Sequence, residues 1–402
     1  MLQSGGPLRL GTLSLHGADP VDRAIGSPVA APIVTATSFY TDPEAVGLSP
    51  ADLGADGPFF YTRWANPTAA LLERRIAALE GAEAAVCFAS GMAAVAGLFL
   101  WRLKAGDHLV LSDICYPGVA EFAHDAMSRL GIAATVTDTS DPVNVAAALR
   151  PTTRLVHVET PANPILKLSD IAAIARICRA AGIELSVDST IATPIATRPI
   201  DLGADYVIHS LTKYICGHGD ALGGVIATTA DKAADLRKEA LIHHGAALNP
   251  VAAWLIARGL ETLPIRLRVH EENARRVADY LSAHSRLDAV YWPGLASHPQ
   301  YELARRQMRN FSGMIALTAK DGPALARRLA KRLRVFSYAV SLGKTKSLIF
   351  YIQTEPLLRG SFRLASEAAD AYRRLAGDGV FRVSVGLEDP ADLVADLEQA
   401  LG

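Results

Sequence analysis

What this chain most plainly lacks is an excess of charge. Its 40 Lys and Arg stand against 41 Asp and Glu, a formal net charge of −1. That balance leaves no basic footprint for nucleic acid or for an anionic membrane surface. Cysteine is also scarce. Cys87, Cys115, Cys178 and Cys216 show neither metal-type spacing nor a paired framework, so a reducing, cytoplasmic setting is expected. No basic leader with an apolar core opens the sequence. No Gly-x-Gly-x-x-Gly turn follows an early strand, which argues against a nicotinamide dehydrogenase. Internal repeats are absent, and low complexity is confined to alanine-rich helices. One apolar run, the 18 residues from 84 to 101, carries no charge. It approaches the length of a membrane span, but Ser90-Gly91 interrupts it mid-way. A strand, a turn and a helix fit it better, because one isolated span would cut a continuous α/β pattern in two.

What is present describes a well-buried globular protein. Hydrophobic residues make up 50% of the 402, charged residues 20%, and mean hydropathy is +0.19. That length predicts two or three packed units. Residues 1–60 are loop-rich, with prolines at 7, 20, 28, 32, 43, 50 and 58. They are expected to form an extended N-terminal arm lying against a neighbouring subunit. From residue 66 to 229 helices and strands alternate. Helices are predicted over 68–80, 92–104, 117–130, 142–149 and 169–181, and apolar strands over 84–89, 108–112, 154–159, 183–188, 205–210 and 223–228. Strands buried on both faces and separated by helices imply a mainly parallel sheet, with chemistry gathered at the strands' carboxyl ends. A long helix is expected over 250–285, kinked at Pro264. Strands at 313–318, 347–352 and 380–385 then mix with helices at 321–333, 361–374 and 390–401 in a smaller α+β domain. The division expected is 1–60, 61–255 and 256–402.

Two residues stand where such a sheet places its chemistry. Asp188 ends the apolar run Ile183–Val187, and Lys213 follows 25 positions later in His209-Ser210-Leu211-Thr212-Lys213. An amine and a carboxylate at two strand ends are what pyridoxal 5'-phosphate (PLP) requires: a Schiff-base lysine, and an acid that keeps the pyridine nitrogen protonated. Apolar and small neighbours around Lys213 would favour its neutral, nucleophilic form. Ser90-Gly91-Met92, between a strand and a helix, offers backbone N–H groups to a phosphate. Ser210 and Thr212 could add hydroxyls, and Tyr116 could stack on the ring. Singly these residues also read as a strand–helix turn, strand edging, a snorkelling lysine, a turn aspartate and a core tyrosine. Their order on successive strand ends favours the cofactor site.

The resemblance to a known family follows from longer motifs. Tyr61-Thr62-Arg63 with Asn66-Pro67-Thr68, Ala89-Ser90-Gly91-Met92-Ala93-Ala94, Gly106-Asp107-His108, Glu159-Thr160-Pro161-Ala162-Asn163-Pro164, Val187-Asp188-Ser189-Thr190, His209 to Tyr214 with Gly217-His218, Arg258-Gly259-Leu260-Glu261-Thr262-Leu263, Ser341-Leu342-Gly343 and Arg382 to Asp389 together resemble the Cys/Met-metabolism (trans-sulfuration) family of PLP enzymes. That family includes cystathionine γ-synthases, cystathionine β- and γ-lyases, methionine γ-lyases and homoserine sulfhydrylases. The resemblance implies PLP fold-type I, aspartate-aminotransferase-like, with a mainly parallel seven-stranded sheet flanked by helices. It implies that Lys213 binds PLP and shuttles protons, Asp188 pairs with the ring nitrogen and Tyr116 stacks on the ring. Gly91, Met92, Ser210 and Thr212 would hold the phosphate. Tyr61 and Arg63 would reach a neighbouring subunit's phosphate in a homotetramer (a dimer of dimers) with shared sites. Asn163, Ser341 and Arg382 would orient the substrate carboxylate, Arg382 by a bidentate fork.

The implied activity is a carbon–sulfur lyase acting by β- or γ-elimination, with Tyr116 or Tyr61 protonating the leaving atom. The alternatives are a γ-replacement synthase using an activated homoserine, and a PLP-binding regulator with little turnover. The sequence departs from the family pattern after Ser341-Leu342-Gly343, where it reads Lys344-Thr345-Lys346-Ser347-Leu348 and lacks the usual nearby glutamate. A lysine at position 346 resembles plant-type cystathionine β-lyases, although the following residues do not. Position 189 is serine where asparagine is common. Lys344 or Lys346 could favour a substrate with an anionic distal end such as cystathionine, or both could be solvated loop lysines.

Overall fold

A computed structural model describes residues 8–17, 25–26, 28–41 and 59–402. Prolines 7, 20, 43, 50 and 58 of the expected arm lie outside the described residues. Within the arm, Leu10–His16 forms a helix that proline spacing did not reveal. Among the described residues the strands are β1 (Ala84–Phe88), β2 (His108–Ser112), β3 (Ala133–Thr137), β4 (Thr153–Glu159), β5 (Glu184–Asp188), β6 (Tyr206–Ser210), β7 (Gly224–Thr228), β8 (Ala289–Tyr291), β9 (Met314–Thr318), β10 (Ser337–Tyr338), β11 (Leu348–Gln353) and β12 (Gly379–Ser384). The larger sheet holds seven strands and the smaller holds five. Two compact units result, Met1–Trp101 with Asp205–Ile265, and Arg102–Ala204 with Arg266–Gly402. Both are discontinuous in sequence, unlike the continuous division expected above.

The first unit carries β1, β7 and β6. β7 is antiparallel to both neighbours, whereas the sequence reading made it one more strand of a mainly parallel sheet. The reason is local: residues 211–223, which join β6 to β7, hold no crossover helix, and a parallel pairing needs one or a loop of similar reach. The uncharged run resolves as β1, a turn and the helix Gly91–Arg102. No described helix is long and apolar enough to cross a membrane. The helix Pro67–Glu80 starts cleanly because Asn66 accepts the Thr68 N–H at 2.9 Å and Pro67 needs no N–H partner in the first turn. Gly81, in the left-handed region at φ 70°, ends it. Leu72, Ile76 and Leu79, on one face, are fully buried.

The second unit carries the parallel strands β5, β4, β2 and β3. The strand β3 escaped the sequence reading because it lies at a sheet edge and none of its residues is fully buried, so no apolar run announces it. Its other sheet, in the order β10-β11-β12-β9-β8, supplies a core that includes Trp292, Ile315, Ile349, Phe381 and Val383. The helices Gly322–Arg332 and Pro390–Leu401 add Leu325, Leu329, Leu393 and Leu397 to it. Each such side chain stabilises the fold by roughly 1.5–3 kcal/mol. The helix expected over 250–285 divides at Thr262 into Pro250–Glu261 and Leu263–Ser282. Pro264 lies in the first turn of the second helix, where its missing N–H costs least.

Candidate active site

In the first unit, β6 and the helix Gly91–Arg102 meet where a phosphate group could sit. A Cβ placed on Gly91 would lie 2.9 Å from the Ser210 Cβ and 3.1 Å from its hydroxyl. The helix therefore starts against the end of β6 only because residue 91 has no side chain. Gly224 repeats the point on β7, where a Cβ would fall 2.1 Å from the Ser90 carbonyl. Ser90 Oγ accepts the Ala93 N–H at 3.1 Å and caps the helix. The N–H groups of Gly91 and Met92, first in that helix, have no intrahelical acceptor and form the positive end of its dipole. Thr212 Oγ1 ties its own turn, accepting the Gly223 N–H at 3.2 Å and donating to the Gly223 carbonyl at 3.4 Å. Lys213 follows in that turn, its N–H on the Ser210 carbonyl at 3.1 Å. It is half-buried, so the burial expected around its amine is only partial. Arg63 donates Nη1 to the Ile242 carbonyl at 2.7 Å and packs 5.6 Å from the ring centroid of Tyr61. The Tyr61 side chain remains 40% exposed.

In the second unit, Asp188 ends β5 nearly buried, its Oδ1 accepting the Thr190 N–H at 3.0 Å. Directly across the ladder stands Glu159, the last residue of β4. Its Oε2 accepts the Tyr116 N–H at 2.5 Å and its Oε1 the Asn163 N–H at 2.8 Å. Burial, then the nearby Asp188 charge, pushes the Glu159 carboxyl up to about 8, although the two N–H donors and Arg382 pull the other way. Tyr116 opens the helix Pro117–Glu121 with its ring about half exposed. Arg382, in the middle of β12, donates Nη1 to Asn163 Oδ1 at 2.9 Å and Nη2 to the Ser341 carbonyl at 3.1 Å. Burial lowers its pKa, and the Glu159 charge opposes that shift. Ser341 thus meets Arg382 through its backbone, at a left-handed φ of 94° that a serine rarely adopts. The segment after it is pinned by Glu388, which takes the Ser347 N–H at 2.7 Å and hydroxyl at 2.8 Å. Lys344 is half-buried there and Lys346 exposed.

The structure brings Asn163, Ser341 and Arg382 together, and brings Gly91 against Ser210. Glu159 was missed as a functional candidate. Its signal was available, since it closes an apolar run just as Asp188 does. The first unit offers a glycine cradle with hydroxyls and helix-first N–H groups, chemistry suited to a phosphate, and the second unit offers a buried carboxylate, chemistry suited to a ring nitrogen. No described cluster of His, Cys, Asp and Glu could hold a metal.

A mixed seven-stranded sheet flanked by helices, with a smaller five-stranded sheet, is the architecture of PLP-dependent enzymes of fold-type I. The chain belongs to the Cys/Met metabolism PLP-dependent enzyme family, whose profile matches residues 11–402. It is 43% identical over 399 residues to a canavanine γ-lyase of Pseudomonas canavaninivorans, covering 98% of this chain and 96% of that protein. An L-methionine γ-lyase of Fusobacterium nucleatum is 39% identical over 396 residues, 98% of each chain. The crystal structure of a cystathionine γ-lyase from Lactobacillus plantarum with L-serine has a TM-score of 0.87 at 31% identity, covering 98% of each chain. The expected family, fold class, cofactor and enzymatic nature therefore hold.

Proposed function

We propose that this chain is a PLP-dependent lyase that eliminates the γ-substituent of a sulfur amino acid or a close analogue, releasing a keto acid and ammonia. The observation that supports this most directly is end-to-end similarity to proteins named as γ-lyases, which disfavours the γ-replacement synthase. Bound PLP supplies an electron sink for the carbanion at the substrate Cα. Lys213 would remove the α-proton and, once it has passed that proton on and is neutral again, the β-proton, while Tyr116 or Tyr61 would protonate the departing atom. Asp188 keeps the ring nitrogen protonated, and Tyr116 stacks on the ring. Gly91, Met92, Ser210 and Thr212 hold the phosphate. Arg382, held by Asn163 and the Ser341 carbonyl, grips the substrate carboxylate. Tyr61 and Arg63 serve a neighbouring subunit within a homotetramer, a reading that the exposed Tyr61 ring supports. A reducing cytoplasm suits the four free cysteines.

The test is a panel of cystathionine, methionine, canavanine, cysteine and acylated homoserines assayed for keto acid without added thiol. Release from at least one γ-substituted substrate is expected; turnover that requires cysteine or sulfide would instead make the protein a synthase. Arg382→Ala should raise KM about a hundredfold or more, since a buried charge-assisted clamp is lost, while kcat changes less. An unchanged KM would remove Arg382 from the carboxylate site.

The half-buried Lys344, three residues past Ser341, favours an anionic distal end over a cationic one. Reversing charge in Lys344→Glu and in Lys346→Glu should shift the preference between cystathionine and uncharged methionine about five- to tenfold, the effect of roughly 1 kcal/mol from one partly screened charge. An unaltered ratio in both variants would make these ordinary loop lysines.

A further inference from the structure

We propose that Glu159 is a positioning residue that sets the substrate clamp and the ring-stacking tyrosine together, by taking the N–H groups of Asn163 and Tyr116 on its two oxygens. The proposal rests on the roles just given to Asn163, Arg382 and Tyr116. The two contacts, 2.8 Å to Asn163 and 2.5 Å to Tyr116, fall on different oxygens of one rigid carboxyl group. The two loops they belong to are thereby held at a fixed separation. From Asn163 the chain of contacts continues to Arg382 Nη1 at 2.9 Å. A movement of the Glu159 carboxyl therefore shifts both the guanidinium that faces the substrate carboxylate and the backbone from which the Tyr116 ring projects.

The residue type supports a positioning role over a purely structural one. Glu159 is 6% exposed and faces Asp188 across the ladder, so both burial and a like charge oppose a carboxylate at this place. A glutamine would be easier to bury. What a glutamine cannot do is accept from two N–H donors on two separate oxygens, as the ionised carboxylate does, because one of its terminal atoms is always a donor. Both Glu159 oxygens are occupied by backbone, which leaves the group poorly placed to move protons for the substrate. The same two loops are joined a second time by Lys167, whose Nζ donates to both Asp113 oxygens at 2.8 Å and to Asp138 Oδ1 at 2.7 Å. With that second joint in place, removing one Glu159 contact should displace the loops without unfolding them.

The experiment is a titration of PLP-loaded protein with a non-reacting amino acid, followed through the absorbance of the bound cofactor. In Glu159→Gln, one donor faces an amide NH2, and the amino-acid dissociation constant should rise about tenfold or more. Dissociation of PLP should speed up severalfold as Tyr116 loses its anchor. Asn163→Ala alone should weaken amino-acid binding too, and in the double variant the two effects should fall well short of multiplying, since Glu159 acts through Asn163. An amino-acid affinity within twofold of the parent in Glu159→Gln overturns the proposal, as do effects that multiply in the double variant. If Glu159→Gln does not fold, Glu159→Asp keeps two acceptor oxygens but sets them back by one methylene. It should load PLP fully and bind the amino acid severalfold more weakly, and an unchanged affinity again overturns the proposal. The titration needs no turnover. A parent protein that binds amino acids yet releases no keto acid would count against the lyase reading alone.

Discussion

Lys213→Ala is expected to lower keto-acid formation by about four orders of magnitude or more. One side chain is assigned two tasks, holding the cofactor covalently and carrying the substrate protons, and the loss of a central nucleophile has effects of that size in other covalent enzymes. The position makes the substitution structurally mild. The Lys213 N–H bond to the Ser210 carbonyl and the Gly217 N–H bond to the Lys213 carbonyl are backbone contacts that alanine preserves. Folding and melting temperature should therefore change little while activity collapses. Borohydride reduction followed by peptide mass analysis checks the covalent half of the claim. The parent should carry the reduced adduct on the peptide containing Lys213, and the variant should carry none. An adduct on another lysine, or a variant that keeps a tenth of the parent's turnover, would move the chemistry elsewhere.

Asp188→Asn should reduce kcat by about a hundred- to a thousandfold. A carboxylate beside the ring nitrogen keeps it protonated, and each pKa unit lost by that nitrogen is worth about 1.4 kcal/mol of charge stabilisation. Asparagine retains an oxygen for the Thr190 N–H that Asp188 Oδ1 accepts, so the end of β5 keeps its turn. The substitution also relieves Glu159 of a neighbouring charge that helps to raise its pKa. The effect should consequently appear in kcat and in the absorbance of bound PLP, with the KM for the amino acid moving less. A kcat within threefold of the parent would show that the ring nitrogen's partner is another group.

Much of this was legible in the residues. The helix at Pro67–Glu80 announces itself by Asn66, Pro67 and the terminal Gly81, each a local signal with a local cause. β2, β4, β5 and β6 were visible as short apolar runs because they are buried on both faces. Asp188 and Lys213 could be singled out because polar residues that close such runs fall where α/β sheets place their ligands. Less was legible where burial is partial. β3 at its sheet edge and the short strand β8, whose residues are only half-buried, present no run to recognise. The break at Thr262 was displaced two residues from the proline that suggested a kink, because proline is best tolerated in the first turn of a helix.

The amino-acid sequence alone determined the family, the cofactor and the types of group at each strand end, because those are carried by residue identities and their order. Only the tertiary structure decided which donors meet which acceptors. It turned β7 antiparallel, brought the Ser341 carbonyl to Arg382, and gave both Glu159 oxygens to the N–H groups of Tyr116 and Asn163. Periodicity in a sequence reports how deeply a segment is buried. It carries no information about partners more than two hundred residues away, as Arg382 is from Asn163, because such pairs are fixed by how the strands pack.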